Sequence, residues 1–475
     1  MVAALSALAP LAPAYDGLPA LAARTDPEPV AAPRMLALND ALAGELGLDA
    51  GALRAAPGLF TGNDVWPGAA PVAAAYAGHQ FGGFVPQLGD GRAHLLGLAA
   101  GPDGPVEIQT KGSGPTIFSR GGDGRAWLGP VLREYVVSEA MNALGVPTTR
   151  ALAAVATGED VLREPGPLPG AVMVRTAASH LRVGTFQYFA VRGDEAALGA
   201  LVDLAIARHH PGADGALGLL RAAVAAQARL VASWMGLGFV HGVMNTDNAH
   251  VGGLTIDYGP CAFLDRYHPA KVFSSIDVQG RYAYGRQPSI AAWNMAQLAT
   301  SLLPLMGGEA GIPEAQAAVD GFAPAYQAEW LRLFRAKLGL AAEEEGDRAL
   351  IEDLLDRMAA GRADFTLAFR GLAEDDPGRG FEEPGALADW LPAWRERLGR
   401  EGGDSGALMR AHSPAVIPRN HRIEAMIAAA VGGDMEPFEE LLAATAAPYE
   451  DGPLTAAYAL PPAPGEEVAA TFCGT

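Results

Sequence analysis

The chain has only two cysteines in 475 residues, Cys261 and Cys473, too few for a disulfide framework or a thiolate zinc site. Basic residues are also scarce: 34 Lys and Arg against 54 Asp and Glu leave a formal charge of −20. A nucleic-acid partner needs a concentrated basic footprint to release counterions, so none is expected. No uninterrupted apolar run of 18 residues occurs, and no membrane partner is expected. The opening MVAALSALAPLAPAY is apolar, but it lacks a basic flank, contains prolines, and precedes the first arginine, Arg24. A cytoplasmic protein is expected from this.

What is present is ample core material, 50% hydrophobic, enough for one two-lobed domain or two packed ones. Residues 1–60 are rich in Ala and Pro and read as an N-terminal extension. From Gly78 to Arg125 glycine is dense and apolar runs are short, as in a sheet with tight loops. VEIQTKG alternates and predicts a strand carrying Lys111. In LREYVVSEAMNALG, Leu132, Val136, Ala140 and Leu144 share one face of a predicted helix that also carries Glu134. ALAAVATGEDVLR and AVMVRTA predict further strands. Beyond Glu195 the long apolar-faced segments predict helices, and a loop-rich tail is expected after Glu401. Strands first and helices after give an α+β order.

Four stretches carry chemistry. QLGDGRAHLLG offers Gly89 and Gly91, whose backbone N–H groups would be free to approach phosphate, with Arg92 beside them; two glycines in a turn more often make a hairpin. GSGPTIFSRGGDGRAW adds a second flexible loop with Asp123 and Gly124. Lys111 on a strand followed by Glu134 on a helix is how kinases hold a lysine against nucleotide phosphates, although a lone helix glutamate is more often a surface charge. HGVMNTDN followed by DYG, with a predicted strand VGGLTI between them, sets Asn248 and Asp257 to converge on one Mg²⁺.

That order of lysine, glutamate, asparagine and aspartate is the order of a kinase, with one departure. The base of H-R-D-x-x-x-x-N would stand five residues before Asn248, at Val243. Asp247 is the nearest carboxylate able to accept a proton. Arg175 and Arg182 are candidate phosphate clamps. If their segment were helical throughout, they would share a face roughly 10 Å apart; surface ion pairing is the alternative.

The chain resembles the selenoprotein O family, protein adenylyltransferases with a pseudokinase fold. The resemblance runs through YAGHQFGGFVPQLGDGRAHLLG, IQTKGSGPTIFSRGGDGRAWLGPVLREYVVSEAM, GVPTTRAL, RTAASHLRVGTFQYFA, HGVMNTDN, IDYGP, VIPRNHRIEAMI and TFCGT. It implies a kinase-like two-lobed fold, with an N-lobe over 61–190, a helical C-lobe over 191–400 and terminal extensions over 1–60 and 401–475. It implies transfer of AMP from an inverted ATP to protein hydroxyls, with Mg²⁺ or Mn²⁺ as metal. Gly89, Gly91, Arg92, Lys111, Asp123, Gly124, Arg175, Arg182 and Asp257 then resemble the ATP contacts, Asn248 and Asp257 the metal ligands, Asp247 the proton acceptor, and Glu134 the partner of the lysine.

Cysteine stands at position 473, where some members carry selenocysteine, and the resemblance suggests a regulatory disulfide between Cys261 and Cys473. Two of the family's asparagines are replaced, in Ser413-Pro414 and in Arg286-Gln287-Pro288. A monomer acting on exposed Ser, Thr or Tyr of protein substrates is expected. From the residues alone, a γ-phosphate kinase and an inactive nucleotide-binding scaffold remain open alternatives.

Overall fold

Alternating and glycine-punctuated sequence in the first half becomes an antiparallel sheet. The computed structural model describes residues 8–16, 18, 20–164 and 166–472. The strands are β1 (Ala22–Arg24), β2 (Arg34–Leu38), β3 (Val72–Ala74), β4 (Gly78–Gln80), β5 (Gly83–Val85), β6 (Ala93–Gly101), β7 (Gly104–Lys111), β8 (Ala126–Trp127), β9 (Arg150–Arg163) and β10 (Gly166–Ala177). The main sheet runs β1-β3-β6-β7-β10-β9-β2, with β8 on β10, while β4 and β5 form a separate hairpin. The segment expected as an N-terminal extension therefore supplies both edge strands, β1 and β2.

Lys111 and Glu134 meet because of this layering. The helix Leu128–Ala143 packs on β9 and β10, beginning four residues earlier than its periodicity predicts, since Leu128 and Val131 are also core residues. It ends at Gly145, whose φ of +81° suits a left-handed helix stop.

The second half is helical. Gly215–Leu237 packs against Gln287–Leu302 and Phe322–Lys337. It is long and apolar enough to cross a membrane by length and composition, and 61% of its apolar window is buried within the fold, with Leu219, Leu220, Ala223 and Val231 fully enclosed.

The tail after Glu401 is not loop-rich. It forms helices Ser405–His412, Asn420–Val431, Glu436–Thr445 and Pro453–Ala459. Asn420–Val431 and Glu436–Thr445 both pack on the helix that carries Glu134, where Arg133 Nη1 meets Glu424 Oε1 at 3.1 Å. Their buried residues, Ile423, Met426, Phe438 and Leu441, follow helical spacing, hidden in sequence by the surrounding Gly and Pro.

Candidate active site

Lys111 ends β7, opposite Ala93 of β6 and Met173 of β10. Its Nζ lies 2.6 Å from Glu134 Oε2 and 2.5 Å from Asp257 Oδ1. The other oxygen of Glu134 accepts from Arg175 Nη1 at 3.0 Å, so one buried glutamate positions two cations. Arg175 Nε donates to Gln109 Oε1 at 2.9 Å, and Gln109 Nε2 donates to Asp90 Oδ2 at 3.2 Å. Arg182 Nη2 stands 3.8 Å from Asp90 Oδ1, and its Nη1 donates to the Asp247 carbonyl at 3.2 Å. The guanidinium also lies 4.4 Å from the centre of the Tyr76 ring. Lysine, both arginines and the intervening acids thus form one connected network.

The segment is not helical throughout, so the arginines do not share a helix face, and Arg175 lies on a strand as AVMVRTA predicts. Arg175 is in β10, where the ladder with β9 shifts register between Val174 and Arg175, a feature that re-aims side chains. Arg182 immediately precedes the helix Val183–Ala190. Cross-strand pairing of Arg175 with Gln109, and not helical spacing, ties the two together.

The loop from His241 to Cys261 carries the remaining candidates. It is closed at its base by β11 (Phe239–Val240) pairing with β12 (Ala262–Phe263). Gln287 spans that base, accepting from His241 N at 2.9 Å and donating to the Phe239 carbonyl at 2.8 Å. The retained glutamine of Arg286-Gln287-Pro288 is therefore the buried member that holds the loop. The expected VGGLTI strand does not form. Gly253 adopts φ +72°, turning the chain, which makes only isolated bridges, His250 to Arg182 and Thr255 to Thr148.

Asn248 Nδ2 donates to the Val243 carbonyl at 3.1 Å. Asp257 holds φ +67°, a conformation that costs a non-glycine residue energy and is concentrated at functional sites.

The carboxylates differ in state. Burial raises the Asp257 carboxyl, but the Lys111 ammonium and then Arg175 override it and hold the group well below the usual carboxylate range. Glu134 is likewise raised by burial and brought below its ordinary value by Lys111 and Arg175. At Asp247 burial wins, pushing the carboxyl up to about 6. Its Oδ2 accepts from Gln80 Nε2 at 3.2 Å, and its buried Oδ1 has no hydrogen-bond partner among the described residues.

The glycine segment is not a hairpin turn, because β5 and β6 are not paired. Gly89 has φ +91°, and a Cβ there would fall 2.3 Å from the Phe118 ring. The two loops are packed together, with Thr116 Oγ1 donating to the Asp90 carbonyl at 2.6 Å.

These elements enclose a cleft of about 690 Å³, within the size range of small-molecule sites. Gly89, Gly91, Arg92, Lys111, Asp123, Gly124, Arg175, Arg182, Asp247, Asn248 and Asp257 all line it, and Glu134 sits behind Lys111. Arg120, Arg125 and Arg163 line it too and were not singled out in the sequence. Arg120 and Arg125 flank Asp123 in SRGGDGR, so a local charge count would have found them. Arg163, which meets Asp123 Oδ2 at 2.7 Å, is brought in only by the fold.

Among the described residues no group of three or more His, Cys, Asp or Glu could by itself hold a metal ion. Asn248 and Asp257 are instead a sparse pair of hard donors lining the cleft. That fits a divalent cation taking its other ligands from phosphates and water.

Cys261 is buried, which pushes its thiol up to about 12, and Cys473 lies outside the described residues. Thr471 Oγ1 donates to the Pro260 carbonyl at 2.6 Å, bringing the tail beside Cys261.

A strand lysine paired to a helix glutamate, an asparagine and aspartate downstream, and a cation-lined cleft define a nucleotide-dependent transferase of kinase-like architecture. The family model for protein adenylyltransferase SelO matches residues 19–446. The chain is 59% identical to protein nucleotidyltransferase YdiU of a Ruegeria species, covering 95% of this chain and 96% of that protein. It is 58% identical to the protein of the same name from a Jannaschia species, covering 95% and 96%. To that of Methylorubrum extorquens it is 55% identical, covering 99% and 100%. The chain belongs to the SelO family of protein adenylyltransferases. It is a nucleotidyltransferase, a class that uses ATP and typically a divalent metal.

Proposed function

We propose that the cleft binds ATP with its triphosphate directed inward and transfers AMP to Ser, Thr or Tyr hydroxyls of protein substrates, with Mg²⁺, or Mn²⁺ in its place, as metal. The observation that carries this reading is the burial of Arg175 and Arg182, 4% and 5% exposed. Two fixed cations at the cleft floor favour the charged tail of the nucleotide there, which leaves the α-phosphorus towards the acceptor.

In this reading Lys111, Arg175 and Arg182 hold the β- and γ-phosphates, and Gly89, Gly91, Arg92, Asp123 and Gly124 contact the nucleotide from the loops. Asn248 and Asp257 would hold the metal, which supplies charge neutralisation on the phosphates when bound. Asp247 takes the proton of the acceptor hydroxyl. The hydroxyl oxygen forms a bond to the α-phosphorus as the bond to the bridging oxygen breaks, and pyrophosphate leaves. Preformed cations around that leaving group need no reorganisation as charge grows.

The kinase alternative lacks its usual base, since Val243 occupies that position. Incubation with ATP labelled at either the α- or the γ-phosphate decides the matter: α-label retained on protein is expected, and γ-label would establish the kinase. We also propose that Cys261 and Cys473 form a redox-sensitive disulfide, a reading supported by the Thr471 contact. Non-reducing mass mapping under oxidant should recover the linked peptide.

A further inference from the structure

Large apolar side chains are mostly buried here, so those left exposed at the cleft mouth call for a reason. Phe81 is 37% exposed and Ile276 60% exposed, and both line the same cleft as Asp247. We propose that Phe81 and Ile276 form an apolar lip that seats a bulky apolar residue flanking the acceptor hydroxyl in an extended segment of the protein substrate. The inference rests on the AMP-transfer reading for the identity of the acceptor.

Phe81 is held in place with care. It sits at the tip of the β4–β5 hairpin with φ +52°, a left-handed conformation that is a genuine outlier for a bulky residue. Its N–H is shared between Asn245 Oδ1 at 3.1 Å and Tyr282 Oη at 3.2 Å. The two residues before it clamp the same loop: His79 N donates to Thr246 Oγ1 at 2.7 Å, and Gln80 reaches the Asp247 carboxylate.

The hairpin tip is thus registered to the proposed base residue by residue, and the Phe81 ring, 5.1 Å from the Tyr282 ring, lines the cleft mouth in a strained backbone conformation. Ile276 lines the same cleft from a different loop. Asp277, next to it, accepts from Arg281 N at 2.8 Å and from Tyr282 N at 2.7 Å, which fixes the turn and leaves the isoleucine outward. Both side chains line the cleft that holds Asp247, so in this proposal a residue beside an acceptor hydroxyl at Asp247 rests on them. An apolar neighbour gains by burial there, and an acidic one does not.

The test uses two fluorescent peptide series that differ only in Leu or Asp beside the Ser or Tyr hydroxyl, with binding followed by anisotropy and transfer by α-label. Wild type should prefer the Leu peptides by about tenfold in Kd. Phe81→Asn keeps a residue that tolerates left-handed backbone. It and Ile276→Ser should each remove most of that preference while leaving the KM for ATP unchanged. Val191→Ser, an exposed apolar change away from the cleft, should behave as wild type. Equal binding of Leu and Asp peptides by wild type, or a preference that survives both variants, overturns the lip. A raised KM for ATP in Phe81→Asn also overturns it, assigning the ring to the nucleobase. The Leu preference is read without turnover, so γ-label in place of α-label would overturn AMP transfer while leaving the lip standing on its own measurement.

Discussion

The floor and the rim of the cleft are built from the same chemistry, arginine or lysine against carboxylate, under different solvation. At the floor, the side chains of Arg175 and Glu134 are 4% and 6% exposed and Lys111 is 11% exposed. At the rim, Arg163 and Asp123 are 16% and 50% exposed. Buried ion pairs are costly to break one partner at a time, about 3–5 kcal/mol, because the remaining charge is stranded. Exposed pairs contribute about 0–1 kcal/mol. The floor is therefore set before any ligand arrives, and the rim is only weakly held.

The comparison is tested most severely at the end of the floor where the metal is proposed to sit. Asp257→Asn keeps a residue that accepts left-handed backbone and removes one carboxylate charge. Transfer of α-label should fall by at least about 10³-fold, with a thermal melt verifying that the protein is folded. Retained activity would remove Asp257 from the proposed metal site.

Asp247→Asn should lower transfer by roughly 10²–10⁴-fold and yet stabilise the protein at neutral pH. The carboxyl titrates at about 6 in the fold against an ordinary 3.8, so the folded state favours its protonated form. That contribution to stability is fully present below about pH 4 and is lost as pH rises through about 6. By this linkage the ionised group costs about 3 kcal/mol at neutral pH, and urea titration of the variant at pH 7.5 should recover much of it. Wild-type transfer should correspondingly decline on acidification below about 6, as the base is protonated.

Glu134→Gln strands Lys111 and Arg175 with fewer counter-charges, and should lose about 3 kcal/mol of stability together with roughly tenfold in transfer. Chemical denaturation and initial rates measure the two effects separately.

How much of this was legible depended on the kind of pattern. Lys111 on its strand and Glu134 on its helix followed from periodicity, because each element buries one face over several turns or alternations. Asn248 and Asp257 were legible as an ordered pair, but the hairpin expected between them was not formed. Gly252 and Gly253 give that stretch no side chains with which to hold a ladder. The links through Gln109 and Asp90 were invisible, since they depend on cross-strand register, a relation between residues far apart in sequence. The helices beyond Glu401 were missed because alanine carries little hydrophobic contrast and their glycines and prolines read as loop. Those helices matter, as two of them back the helix that carries Glu134.

The smallest expected effect lies at the rim. Asp123 accepts from Arg163 and from the Arg125 backbone N–H at 2.9 Å. Burial is the largest single influence and raises its carboxyl, but the Arg163 hydrogen bond, the Arg125 backbone N–H and the two arginine charges together bring it below its ordinary value. Asp123→Ala should change stability by less than about 0.5 kcal/mol, because water replaces the lost partner. The KM for ATP should rise only about two- to fivefold, as Arg163 and Arg125 are no longer held over the mouth, and the rise should shrink in high salt, where an exposed pair is already screened. A loss as large as that of Glu134→Gln would show that the rim is locked by the nucleotide as firmly as the floor is by burial. The difference between the two regions would then belong to the ligand-free state alone.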